Sequence, residues 1–170
     1  MRVLLWTSLI PMALTVSCGP SESDQLEANK ELIRHVITEG VNTGDLEVFG
    51  NMLASDYSRH SQATSEMPEI RGVEAMLAFL QAQYAAFPDY HEEIDLMIAE
   101  GDKVAYITTG TGTHLGPLGD IPPTGKKMEI VNFVVQRIQN GRIAETWIGW
   151  DNMAALSQLG LFPPPGPGCE

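Results

Sequence analysis

Lys127-Met-Glu-Ile-Val-Asn-Phe-Val-Val-Gln-Arg-Ile-Gln-Asn-Gly-Arg-Ile-Ala-Glu-Thr-Trp-Ile-Gly-Trp150 is the stretch that decides the fold. β-Branched and aromatic residues flank Asn140-Gly141, the dipeptide that most readily fills two left-handed turn positions. The spacing predicts a hairpin, with a strand from Lys127 to Ile138, a two-residue turn, and a partner strand from Arg142 to about Trp150. With that turn, Ile138 faces Ile143, Gln136 faces Glu145, Val134 faces Trp147 and Asn132 faces Gly149. Asn132, Glu145 and Trp147 then share one face of the sheet.

Period two extends upstream. Ile94, Leu96 and Ile98 alternate with Asp95 and Met97, and Glu100-Gly-Asp-Lys103 reads as a hairpin turn. A long strand follows from Val104 to about His114. Gly116 to Gly125 is a Gly/Pro-rich connection, read either as a flexible lid or as a hairpin link stiffened by prolines. Before Tyr90 the period is helical. Leu26, Ile33, Val36, Ile37 and Val41 define one helix, capped by Ser23 or Asp24 and stopped at Asn42-Thr-Gly44. Asp45 caps a second, shorter helix. Val73, Met76, Leu77, Leu80, Tyr84 and Phe87 form the stripe of a third, begun at Gly72 and ended by Pro88. Ser55 to Ala63 lacks a helical period and includes a short extended piece. Asp151 to Gly160 closes the chain as a short helix with Gly160 just past its end. Helices followed by an antiparallel sheet describe an α+β fold. Gly110 and Gly112 within a long strand allow the sheet to curl around the helices as an open cone, which encloses a pocket.

The composition narrows the partners. Asp and Glu number 22 against 10 Lys and Arg, a formal charge of −12, which lacks the basic footprint of a nucleic-acid binder. The same balance gives no attraction to anionic lipid. Residues 1–17 carry one cation, Arg2, before an apolar run from Val3 to Val16, too short for a membrane span and suited to a secretory signal. Leu14-Thr-Val-Ser-Cys18 resembles the lipobox of bacterial lipoproteins, with Thr15 where Leu is usual, so Cys18 is the expected lipidated mature N-terminus. The alternative is an ordinary cleavage nearby with Cys18 incidental. A polar tether, 18–23, leads to a domain over 24–161, and 162–170 is a Pro/Gly tail expected to be disordered. These features predict an exported protein, a periplasmic or cell-envelope lipoprotein that meets the membrane only through its anchor.

The order Asn42-Thr-Gly-Asp45, Asp56-Tyr57 with His60, Gly72-Val-Glu74, Phe87-Pro-Asp89, Ala99-Glu-Gly-Asp102, Gly112-Thr-His114 with Gly116, Pro123-Thr-Gly-Lys126, Asn140-Gly-Arg-Ile143, Glu145-Thr-Trp147, Asp151 and Gln158-Leu-Gly160 resembles the SnoaL-like polyketide cyclases, also called ester cyclases, of the nuclear-transport-factor-two-like superfamily. The resemblance spans roughly residues 30–161. It implies a cone-shaped α+β barrel with N-terminal helices packed in a curved, mainly antiparallel sheet. It also implies a homodimer formed through that sheet and no metal or organic cofactor. The implied chemistry is acid/base work next to a carbonyl, as in intramolecular aldol cyclisation, with the key aspartate at the Trp-x-x-x-Asp position, here Trp147 and Asp151. Export departs from the cytoplasmic setting of aromatic polyketide assembly and leaves the substrate open.

Asp151 sits where the last strand meets the last helix, and from local sequence it is equally a helix N-cap. The resemblance shifts the reading toward general acid/base catalysis, and one residue can do both. His60 either orients a substrate carbonyl or pairs with Asp151, or is a histidine bonded to backbone. His114 lines the cone mouth or anchors the turn beside it. Trp147, Glu145, Asn132 and Tyr57 are substrate-binding candidates if their face is the cone interior; on the outer face Glu145 is solvated and Trp147 lies in a dimer contact. No metal-ligand spacing, nucleotide fingerprint or nucleophile elbow is present. Two functions follow: an exported SnoaL-like enzyme of cyclase or isomerase type acting on a small apolar or carbonyl-bearing molecule, or a non-catalytic ligand-binding or interaction module of the cell envelope.

Overall fold

The computed structural model describes residues 21–61 and 69–162. The expected signal at 1–17, Cys18 with its lipobox, and the tail after Phe162 lie outside the described residues. Ser21 is already a helix cap: its hydroxyl accepts from the Asp24 amide while the Asp24 carboxylate accepts from the Ser21 amide. The first helix, α1 (Glu22–His35), therefore starts a few residues before the expected Ser23 or Asp24 cap and takes up part of the expected tether. It continues as a π-helical segment, Val36–Val41. Asp45 caps α2 (Leu46–Asn51) by accepting from the amides of Glu47 and Val48.

The sheet has six strands in the order β2-β1-β6-β5-β4-β3. They are β1 (Leu53–Ser61), β2 (Glu69–Arg71), β3 (His91–Glu100), β4 (Lys103–Thr113), β5 (Lys127–Gln139) and β6 (Arg142–Gly149), with α3 (Val73–Ala86) between β2 and β3. Only the β1–β6 pair is parallel. The short extended piece expected near residue 55 is thus a nine-residue strand at the far side of the sheet. The turn at Asn140-Gly141 has φ of 52° and 70°, the two left-handed positions of a tight hairpin.

Two bulges correct the expected registers. Ile138 pairs with Ile143 as the turn requires, but the register then slips, so Arg137 pairs with Glu145, Gln136 with Thr146 and Val135 with Trp147. Ala144 is the inserted residue, and one extra residue sends every later side chain of β6 to the opposite face. Asn132 therefore lies on the inner face, while Glu145 and Trp147 lie on the outer one. A second slip between Ile94 and Leu96 puts Ile94 inside and exposes Leu96 and Ile98.

The helices cover the inner face. Ile33, Val36 and Ile37, with Met76 and Leu80 of α3, pack against Val104, Tyr106, Val134, Ile138 and Ile143 of the sheet. A smaller cluster joins Phe87, Tyr90 and Met128 to Ala155 of the last helix, α4 (Asn152–Gln158), and to Leu159, the residue that caps it. Gly110 and Gly112 make room for this arrangement. A Cβ on Gly110 would lie 2.8 Å from the Tyr90 hydroxyl, and one on Gly112 would press on Phe87 at 3.3 Å. Gln158 exchanges two bonds with the Glu129 backbone, so α4 takes the place of β6 along the first half of β5.

Candidate functional site

The inner face carries a polar set within the apolar core. The Tyr90 hydroxyl donates to Glu92 Oε1 at 2.6 Å, and the Thr108 hydroxyl donates to Glu92 Oε2 at 3.2 Å. Asn132 Nδ2 reaches both Glu92 Oε1 and the Thr108 hydroxyl at 3.3 Å. The Glu92 backbone is clamped by Asn42 at the end of the π-helical segment: Asn42 Oδ1 accepts from the Glu92 amide and Asn42 Nδ2 donates to its carbonyl. Burial pushes the Glu92 carboxyl up from its ordinary value, against the opposing bonds from Tyr90 and Thr108. Burial likewise pushes Tyr57 up to about 12, although its hydroxyl bonds with Thr146 and lies near the Arg59 charge. A carboxyl raised by burial and set among hydroxyl donors is a group that can hold or pass a proton.

Arg59, two residues beyond Tyr57 on β1, also faces inward and is 5% exposed. Its guanidinium lies 4.8 Å from the centre of the Phe79 ring and 5.9 Å from that of Trp150. Burial pushes its pKa down, while Tyr57 and Tyr90 act in the opposite sense.

The structure places His60 on the other side of the sheet. Its Nε2 is 2.9 Å from Glu145 Oε1, its Nδ1 is 3.5 Å from Glu69, and its ring stacks on Trp147 with centroids 5.5 Å apart. Arg137 Nε donates to the second oxygen of Glu145 at 3.1 Å. Desolvation raises the Glu145 carboxyl, but bonds from His60 and Arg137 outweigh it and hold the group below the ordinary range. This network borders a groove of about 810 Å³ floored by Leu96, Ile98, Phe133 and Trp147. Phe133 is 60% exposed there and Ile98 61%, a strip of apolar surface uncommon on a lone soluble domain.

Asp151 caps α4. Its Oδ1 accepts from the Ala154 amide at 2.9 Å, and the side chain is exposed. Trp150 beside it turns toward Arg59, whereas Trp147 faces outward. His114 is fully buried and stacked on Phe87. The Thr124 amide donates to His114 Nδ1 at 3.3 Å, the Thr124 hydroxyl lies 3.2 Å from the same atom, and Nε2 has no partner among the described residues. His114 thereby ties the Gly116–Gly125 connection to the end of β4, helped by backbone bonds at His114–Lys126 and Gly125–His114. The connection is pinned further where Leu115 and Gly116 donate to the Ala86 carbonyl. Among the described residues, no three His, Cys, Asp or Glu side chains converge as a metal-binding group.

Asp151, His60 and His114 therefore occupy three separate settings: a helix cap, the outer face and a loop anchor. The inner set of Arg59, Tyr90, Glu92 and Thr108 was not singled out from sequence. A signal for it exists, because Tyr57-x-Arg59-x-Ser61 and Tyr90-x-Glu92-x-Ile94 both alternate at period two with an aromatic that has to be buried.

The SnoaL-like polyketide cyclase family model matches residues 31–159. Among solved structures, IdmH from Streptomyces antibioticus, provisionally assigned as a polyketide cyclase, is 32% identical. The match covers 78% of this chain and 99% of that one, with a TM-score of 0.67. AclR from Streptomyces galilaeus, provisionally assigned as a hydroxylase, is 25% identical over 81% of this chain and 84% of that one, TM-score 0.71. A SnoaL-like protein of Jannaschia sp. CCS1 has the same fold at 20% identity, with 85% and 100% covered and a TM-score of 0.75. No curated protein matches the chain. The six-stranded sheet wrapped on N-terminal helices and these matches agree, and the chain belongs to the SnoaL-like polyketide cyclase family of the nuclear-transport-factor-two-like fold.

Proposed function

We propose that this protein is a small-molecule enzyme that moves a proton next to a carbonyl, in an intramolecular aldol cyclisation or an isomerisation. The observation that carries the proposal is the polar set on the helix-covered face, where Glu92 is a carboxyl raised by burial and held by three side-chain donors. The family resemblance supplies Asp151 as the general acid/base at the rim, where Trp150 connects it to the interior. One Asp151 oxygen is committed to the helix cap, which fixes the carboxylate's direction and leaves the second oxygen for proton transfer. Tyr57 and Asn132 line the interior. His114 holds the connection at its edge. His60, Glu145 and Trp147 belong to the outer face.

The outer face supports association of two copies. Leu96, Ile98, Phe133 and Trp147 form its apolar floor, and the His60–Glu145–Arg137 network its polar side. Residues 1–18 support export and lipidation at Cys18, which the intact mass of the membrane-bound protein tests by the added acyl mass.

Acid/base work at a carbonyl is detectable without the natural substrate. A panel of β-diketones in D₂O reports deuterium wash-in at the carbon between the carbonyls. The wild-type chain is expected to accelerate wash-in, and Asp151→Asn to lose roughly 10²–10⁴-fold of it. Wash-in no faster than buffer across the panel returns the protein to a ligand-binding role.

A further inference from the structure

A buried cation without an anion is costly, and proteins normally supply a carboxylate or a set of carbonyl acceptors to such a group. Arg59 is 5% exposed, and among the described residues no ion pair or hydrogen bond involves its guanidinium. Its compensation comes from the faces of Phe79 and Trp150, which leave the in-plane N–H donors uncommitted. Both rings are half-buried. The nearby polar residues do not solve the problem. The Glu92 carboxylate is taken by Tyr90, Thr108 and Asn132, and Tyr57 bonds with Thr146. Glu145, the acidic residue that a parallel neighbour of β1 would otherwise offer, was turned to the outer face by the Ala144 bulge.

We propose that Arg59 is the anion-recognition residue of the interior site, donating to a carboxylate or enolate oxygen of a planar ligand whose ring packs against Phe79 and Trp150. This rests on the reading that a small carbonyl compound binds on the inner face, and it names the chemistry of that compound. A guanidinium fits because its planar fork bonds two oxygens at once and stacks on aromatic faces, neither of which an ammonium does as well. An enolate is the species that proton abstraction next to a carbonyl produces: the C–H pair becomes the new carbon–carbon π bond, the carbonyl π pair moves onto oxygen, the proton goes to the base, and the new negative charge on oxygen needs a fixed cation. Trp150 precedes Asp151 in the chain, so the rim residue that would hold the ring lies beside the proposed base.

The test uses 2-naphthoate and its neutral isostere 2-naphthamide, titrated calorimetrically into the full chain. Naphthoate is expected to bind about tenfold tighter than naphthamide, the size of one charge-assisted contact. Arg59→Met should bring the two to equal affinity, and Arg59→Lys should keep part of the preference. Equal affinities in the wild type, or a preference that survives Arg59→Met, overturn the proposal. Should Arg59→Met fail to fold, the wild-type Arg59 Nε–Hε resonance decides: it shifts with naphthoate and not with naphthamide, or the proposal fails. Wash-in without a carboxylate preference sinks the Arg59 assignment alone, and a preference without wash-in sinks the acid/base reading alone.

Discussion

Asp151 is a helix cap by geometry and an acid/base by proposal, and two substitutions separate the roles. Its Oδ1 satisfies the Ala154 amide at 2.9 Å, one of the four donors left open at the start of any helix. Asn presents the same acceptor at the same place and ranks with Asp as a cap, so Asp151→Asn should change stability by no more than a few tenths of a kcal/mol. Ala presents none, and Asp151→Ala should cost about 1 kcal/mol. For a domain of this size that is a fall in Tm of about 2–4 °C. The far end of α4 is held independently by Gln158 on the Glu129 backbone and by Gly160 at φ 75°, so the loss stays local and the fold survives. Thermal unfolding by circular dichroism reads the stability, and deuterium wash-in reads the chemistry. Both variants should lose wash-in together while only Asp151→Ala loses stability. Wash-in that tracks Tm, intact in Asp151→Asn and lowered in Asp151→Ala, would refute the reasoning, because the residue would then act only as a cap.

Glu92→Gln tests the buried carboxyl through pH. A carboxyl raised in the native state binds its proton more readily there than in the unfolded chain, so its contribution is fullest below the ordinary value near 4.5 and is lost as pH rises through the native value. Wild-type Tm should therefore gain on that of Glu92→Gln as pH falls from neutral toward 4.5; parallel curves would contradict the burial argument. Gly116→Ala should destabilise more than Gly110→Ala. The new Cβ would overlap the Ala85 backbone carbonyl in the first case, whereas in the second it would sit 2.8 Å from the end of the Tyr90 side chain. Denaturant midpoints should show about 1–3 kcal/mol lost for Gly110→Ala and more for Gly116→Ala. If two copies associate through the outer apolar strip as proposed, Phe133→Glu places a charge in its middle and should lower the sedimentation coefficient to that of a monomer without lowering wash-in by more than about twofold; a coefficient equal to that of the wild type would contradict association through that face.

Much of the architecture follows from local chemistry that one sequence displays. Asn140-Gly141, Gly72, Asp45 and Gly160 sit where backbone geometry demands them, and the helices and long strands begin and end there. The side of the sheet on which a residue falls was not legible. It hangs on single-residue bulges at Ala144 and near Asp95, which leave no mark in composition and are fixed by how the helices pack on the finished sheet. That is why Glu145 and Trp147 read as partners of Asn132 and lie opposite it. Arg59 is hard to place for a related reason: the period-two run around it is short, and the partner that makes it a sheet strand, β6, pairs with it from some 85 residues away. His60 was separated from Asp151 by the same fact.

The proposed function requires a small carbonyl-bearing molecule to bind on the helix-covered side of the sheet. A crystal structure of the protein soaked with 2-naphthoate tests it most directly. The account predicts the ring between Phe79 and Trp150, with the carboxylate on the Arg59 guanidinium. A ligand found in the outer groove against Phe133 and Trp147, with the inner face unoccupied, would contradict it.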